Sequence, residues 1–230
     1  MLSCLLIFLK NKHRCKPGKL MNDWEKKFQK ILTNTSLASD PAHDFLHVKR
    51  VVEIAKQLSS NDGGLLEIIL PAAWFHDLVI IPKNGADRKN ASKLSAQKAI
   101  EYLREIEYSS VHLEQIAHAI EAHSFSANID PQTIEAKIVQ DADRLDGLGA
   151  IGVARCFSTA GLIQRQFYAE EDPFCHQRAP DDSKFTIDHF YKKLLKTAET
   201  LKTKSGIKEG ARRAVFMRDY LNELERELYK

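Results

Sequence analysis

Little in this sequence supports a disulfide-stapled, membrane-spanning or nucleic-acid-binding protein. Its four cysteines, Cys4, Cys15, Cys156 and Cys175, are scattered over 230 residues with no C-x-x-C pair. That spacing argues against a disulfide framework and a zinc–thiolate site and makes a reducing cytoplasm the expected location. The apolar run Leu5–Leu9 is too short to span a bilayer, and it lacks a basic stretch before it and a small-residue cleavage site after it. An excess of one charge sign is missing too. The net charge of +3 is too mild for a stable nucleic-acid complex, though it suits a small anionic substrate. No glycine-rich phosphate loop, internal repeat, low-complexity block or convincing strand alternation is present.

What is present is helical periodicity. The chain is 43% hydrophobic and 28% charged, enough for one globular unit with a sizeable core. Residues 1–20, with basic NKHRCKPGKL, read as a flexible lead-in ahead of a true start at Met21, and 21–230 read as a single domain. Trp24, Phe28, Ile31 and Leu32 recur at helical spacing, as do Val48, Val51, Val52, Ala55 and Leu58. Asp40-Pro41 and Asp130-Pro131 each read as an N-cap followed by a proline at the first helical position. Leu65–Val79 is apolar almost throughout, with Pro71 inside it, so a kink or a late start is expected. Further helices are expected from Ser92, around Leu113 to His123, over 150–162, over 186–201 and over 209–228. Between them, 164–184 is a long polar loop, either a functional cover or disordered. The fold class is an all-α bundle.

Three stretches carry chemistry. His47 lies on the helix that begins HDFLHVKRVV; His76-Asp77 end the run AAWFHDLVI; Asp141, Asp143 and Asp146 lie in KIVQDADRLDGLGAIG. Helical phase puts Val139, Asp143 and Asp146 on one face and Asp141 on its neighbour. A histidine, a His-Asp pair and an aspartate, each in an apolar helical frame, form a plausible ring of metal ligands. Imidazole mixed with carboxylate suits manganese, iron, cobalt, nickel or zinc, and tolerates magnesium less well. Such a set leaves positions for water and a phosphate oxygen, which points toward hydrolysis.

These residues resemble a family. His47 with Arg50-Val51, then His76-Asp77, then the Asp143 of ADRLD, match the H…HD…D pattern of the HD-domain metal-dependent phosphohydrolases. The blocks AHD-x-x-H-x-x-RV, Ala122-His123-Ser124, QDADRLD-GLGAIGVAR and IDHFYKKLL look like a bacterial branch that includes nucleotide pyrophosphatases. The resemblance covers roughly Trp24 to the C-terminus. It implies an HD-domain helical bundle with a C-terminal helical extension, and His47, His76, Asp77 and Asp143 as ligands of a divalent metal ion, manganese favoured. Asp77 is the ligand best placed to orient the water. No acid follows in the next turn, where the chain reads Leu-Val-Ile-Ile-Pro, so no proton donor is implied there.

Other residues carry paired readings. His43 is a substrate or proton-transfer group, and Asp44 either joins it or occupies the positive end of a helix. His123 is a phosphate contact, a second-metal ligand or a buried hydrogen-bonded histidine. Arg50 and Arg144 contact phosphate or bridge to Asp44 or Asp146. Lys83, Arg88 and Lys93 line a phosphate-facing lid or a solvated loop, and His189 and Lys193 reach the substrate or form a polar face. The expected activity is hydrolysis of a phosphate ester or pyrophosphate bond of a nucleotide, with a nucleoside-triphosphate pyrophosphatase favoured over a silent nucleotide sensor.

Overall fold

In the computed structural model the described residues are 17–34, 44–81 and 87–229. Their helices are α1 (Pro17–Asn34), α2 (Phe45–Asp62), α3 (Leu66–Phe75), α4 (Ala91–Glu105), α5 (Leu113–His123), α6 (Ile134–Asp146), α7 (Gly149–Leu162), α8 (Thr186–His189), α9 (Leu195–Ala198) and α10 (Lys204–Leu228). A π-helical stretch, Phe190–Leu194, joins α8 to α9. Among the described residues there is no strand, only one isolated bridge between Gln166 and Phe185. The all-α expectation is met. No described helix is long and apolar enough to cross a membrane.

The centre of the bundle is α3, whose residues from Ile68 to Phe75 are all buried. Helices α2, α5 and α6 surround it, α4 packs on α5, and α1 lies against α3. Phe28 of α1 meets Phe75 edge to face at 5.2 Å, and Trp24 meets Tyr108 at 4.8 Å. Helix α10 spans α2, α6, α7 and α9, so the C-terminal helices share the core.

Pro71 sits inside α3 and starts no new helix. Lacking an N–H, it leaves the Glu67 carbonyl without its helical partner. The Tyr108 hydroxyl donates to that carbonyl at 2.7 Å instead. Tyr108→Phe is therefore expected to cost about 1 kcal/mol, the net worth of a hydrogen bond to a part-buried carbonyl. Urea unfolding checks this; a change below about 0.5 kcal/mol would mean that water replaces the hydroxyl.

Two expected caps move. Helix α2 is capped by Asp44, whose Oδ1 accepts from the His47 N–H at 2.8 Å. Asp40 and Pro41 lie outside the described residues. Helix α6 is capped by Thr133 rather than Asp130, through the Ala136 N–H at 3.2 Å. Likewise α1 starts at Pro17, ahead of Met21, using proline at the first helical position.

The long segment after α7 is ordered by its own polar groups. Asp172 accepts from the backbone of His176, Gln177 and Arg178, and Arg178 forks onto the buried Asp188 at 2.5 and 2.7 Å. Burial works against ionised Asp188, but Arg178 outweighs it and holds the carboxyl below its usual range. A lowered folded value means that this stabilisation is present above the ordinary carboxylate value and disappears as pH falls through the lower one. Native protein is expected to outmelt Asp188→Asn at neutral pH, with the gap closing in acid, as pH falls through the lowered folded value. Thermal melts at both pH values check this, and a pH-independent gap would contradict it.

Candidate metal centre

Four helix ends converge on one point. His47 lies in the first turn of α2, His76 and Asp77 follow α3 directly, His123 is the last residue of α5, and Asp143 lies in the last turn of α6. The ends of α3, α5 and α6 are C-termini, so their dipoles present negative potential there and favour a cation.

The same local device aims two of the imidazoles. Near a helix C-terminus the last carbonyls lack N–H partners. His76 Nδ1 donates to the Ala73 carbonyl at 2.8 Å, and His123 Nδ1 donates to the Ile120 carbonyl at 2.5 Å. His47 is aimed from farther away, with Nδ1 donating to Asp146 Oδ2 at 2.7 Å. A carbonyl or carboxylate can only accept, so each Nδ1 carries its proton, and in the neutral ring each Nε2 is unprotonated and its lone pair able to ligate.

These lone pairs face a common space. His47 Nε2 and His76 Nε2 are 3.3 Å apart, too close for two unprotonated acceptors with nothing between them. Asp143 Oδ1 lies 3.5 Å from His47 Nε2 and 3.9 Å from His76 Nε2. Asp77 Oδ2 lies 3.5 Å from His76 Nε2 and 3.8 Å from His47 Nε2, while its Oδ1 faces His123 Nε2 at 3.4 Å. Among the described residues two groups have the spacing to hold a metal ion, His47–His76–Asp143 and His76–Asp77–His123, and both include His76. The donor set fits a divalent ion: bare nitrogens and carboxylate oxygens, with no thiolate.

The electrostatics agree. Burial pushes His76 below its ordinary value, which keeps it neutral. Burial would raise Asp77, yet His76, His123 and His47 together hold it well below the usual carboxylate range. Burial would lower His123, and the facing Asp77 outweighs it and raises it. Positive charge is thus favoured inside the cluster. The three histidine side chains are at most 6% exposed, whereas Asp77 is 22% and Asp143 28% exposed, so the site opens on its carboxylate side.

The three aspartates of α6 take three different tasks. Asp143 enters the cluster. Asp141 accepts from the Lys202 and Thr203 backbone and the Thr203 hydroxyl, tying down the C-terminal helices. Asp146 holds His47 and takes Arg50 Nε at 2.6 Å and Arg155 Nη1 at 2.6 Å. Asp146 is held far below its usual range, because the bonds from His47 and Arg50 outweigh burial. Arg155 and the positioning task of Asp146 went unremarked in the sequence, although the i, i+3 spacing of Asp143 and Asp146 was a usable signal.

Several candidate residues have partners outside the cluster. Asp44 is committed to capping α2. Arg50 is bonded to Asp146, and Arg144 donates to the Thr200 carbonyl at 2.9 Å with its guanidinium over Phe125. His189 and Lys193 both meet Asp182, at 3.0 and 3.3 Å. Arg88 opens a short 3-10 turn, half-buried, and Lys93 is exposed on α4. His43 and Lys83 lie outside the described residues.

Comparison with known proteins gives this geometry a context. A sequence model of the HD domain matches residues 44–148, which span every member of the cluster. The Lin1889 protein of Listeria innocua is 34% identical, with a TM-score of 0.62 over 81% of this chain and 88% of that one. An HD-superfamily hydrolase of Bacillus thuringiensis is 29% identical, with a TM-score of 0.67 over 89% and 97%. Bacillus subtilis YpgQ, whose structure was solved in complex with ADP, is 29% identical with a TM-score of 0.69 over 88% and 98%. With that likeness running through nearly the whole length of each relative, and the HD match centred on the histidine–aspartate cluster, the chain belongs to the HD-domain family of metal-dependent phosphohydrolases.

Proposed function

We propose that this hydrolase cleaves a phosphoanhydride bond of a nucleotide, and that its first substrate class is nucleoside triphosphates, split into monophosphate and pyrophosphate. The observation that carries the reading is the convergence of three buried Nε2 lone pairs on two half-open carboxylates. The likeness to YpgQ, a protein crystallised with ADP, supports the nucleotide. We assign His47, His76, Asp77 and Asp143 as ligands and His123 as a further ligand or phosphate contact. Manganese is our favoured ion for this mixture of imidazole and carboxylate. A divalent ion held there supplies Lewis acidity and makes water acidic enough to deprotonate near neutral pH.

The chain's own groups do the rest. Ionised Asp77 reaches toward both halves of the cluster and acts as the acceptor that orients the attacking water. In balanced form, water oxygen bonds the α-phosphorus and the α–β bridging bond breaks. Pyrophosphate leaves with the bond's electron pair, and the water proton passes to solvent or to the leaving group. Arg88 and Lys93 are the flanking cations best placed in sequence to meet the phosphates, with His43 a candidate for proton transfer. We take residues 21–230 as one unit, in keeping with the packing of α10 on α2 and α6, and the cytoplasm as its location, in keeping with a sequence whose four cysteines include no C-x-x-C pair.

The experiment is a release assay with manganese over a panel of nucleoside mono-, di- and triphosphates, scoring phosphate and pyrophosphate separately. Pyrophosphate from triphosphates is the expected result. Phosphate alone would move the reading to a phosphatase. No product, with nucleotide still raising the melting temperature, would replace catalysis by sensing.

A further inference from the structure

On the Nδ1 side of His47 lies a cavity of about 340 Å³ between α2, α7 and α10, within the size range of small-molecule sites. Lys49, Arg50 and Arg213 line it together with Ile54, Ile151 and Asp146. None of His76, Asp77, His123 or Asp143 does. We propose that this cavity is a second binding site, separate from the metal centre, for a small phosphate-bearing anion.

The charge around it is arranged for an anion. Three cations line the space, and the two acids on its wall are already answered. Asp146 is shared among Arg50, Arg155 and His47, and Glu53 pairs with Lys56 at 2.9 Å while remaining largely exposed. Lys49 has no carboxylate within 4.0 Å among the described residues. The lysine is thus available to a ligand without breaking an ion pair, its ammonium otherwise lying 5.9 Å from the Phe45 ring centroid.

Preorganisation is the second argument. Arg213 is 18% exposed and fixed by Nε to Glu209 at 2.7 Å and Nη1 to the Leu145 carbonyl at 2.6 Å. Arg50 is fixed by its fork on Asp146. Guanidinium groups held this way lose little further entropy on binding, and each keeps one terminal nitrogen outside those bonds, Nη1 of Arg50 and Nη2 of Arg213, to donate to a phosphate oxygen. Ile54 and Ile151 add apolar surface beside those charges. The volume admits orthophosphate, pyrophosphate or the phosphate and sugar of a mononucleotide, so the anion is either free phosphate or a nucleotide's phosphate.

The test is equilibrium dialysis of radiolabelled orthophosphate, and in a parallel arm AMP, against the full chain with manganese. It reads binding alone, so it stands whatever bond the metal centre cleaves. The expected result is a class of sites that persists in Asp77→Ala and is weakened at least tenfold in Lys49→Glu and in Lys49→Glu/Arg213→Gln. Lys49→Glu breaks no ion pair among the described residues and gives up only the ammonium's 5.9 Å approach to the Phe45 ring, so a native-like melting curve beside the dialysis separates loss of binding from unfolding. AMP binding tenfold tighter than orthophosphate identifies the nucleotide as the source, and equal binding identifies free phosphate. Binding that vanishes in Asp77→Ala, binding unchanged in both cavity variants, or no binding at all would overturn the site.

Discussion

His76→Ala is expected to abolish metal binding and hydrolysis together. His76 is the residue common to both metal-competent groups, His47–His76–Asp143 and His76–Asp77–His123. Removing its Nε2 leaves each of these groups with two donors and takes one of the four assigned ligands from the ion. The lost charge stabilisation is several kcal/mol, so the turnover rate should drop at least about 1000-fold. His123→Ala makes the contrast, because it breaks one group and leaves His47–His76–Asp143 whole. That variant should still bind one ion. His76 is fully buried, so its truncation also opens a small void and frees the Ala73 carbonyl. His76→Gln, nearer in volume, guards against reading a folding defect as a lost ligand. Steady-state rates beside metal-free melting curves check the prediction. Activity within tenfold of native in a folded His76→Gln variant would remove His76 from the centre.

Asp146→Ala is expected to cost both stability and metal affinity, for separable reasons. The carboxylate holds Arg50, Arg155 and His47 Nδ1 at once, and its own side chain is only 1% exposed. Taking it away leaves two guanidinium groups facing each other without a counter-charge, a change that costs about 3–5 kcal/mol when fully buried. Arg50 is 34% exposed, so solvent screening should bring the cost toward the lower end. His47 meanwhile loses the acceptor that fixes its tautomer and ring plane. Loss of such an outer partner typically weakens a metal site about 10–100-fold. Asp146→Glu separates the effects, since it restores the charge while displacing the acceptor. Denaturant unfolding without metal and metal titration of the folded variants give the two numbers independently. A destabilised Asp146→Ala that keeps native metal affinity would show that Asp146 supports the fold alone.

Much of the bundle was legible because amphipathic helices write their buried face at a fixed period. Val48, Val51, Val52, Ala55 and Leu58 were expected on one stripe, and all five are buried. Caps were legible only in type. An Asp-Pro pair at 130–131 looks like a helix start, but the chain needs two further residues before Thr133 takes the extended conformation from which its hydroxyl reaches Ala136. Residues 164–184 were undecidable because their order comes from pairings such as Arg178–Asp188, which follow no period.

The candidate site divides along the same line. His47, His76-Asp77 and Asp143 announce themselves through spacing and flanking blocks, and the structure brings their donor atoms together. Side-chain partners are invisible at that level. Arg50 and Arg144 were equally good phosphate contacts or salt-bridge partners from sequence; one meets Asp146, the other the Thr200 carbonyl. Nothing in the string of residues says that His189 and Lys193 share Asp182, seven to eleven positions earlier across an irregular segment.

The account rests on one location, and crystals grown with manganese would test it most directly through anomalous scattering at the manganese edge. The expected result is an anomalous peak bonded to Nε2 of His47 and His76 and to carboxylate oxygens of Asp77 and Asp143, absent from crystals of His76→Ala. Manganese bound only elsewhere, or a native cluster whose side chains turn apart with no peak between them, would contradict the metal centre.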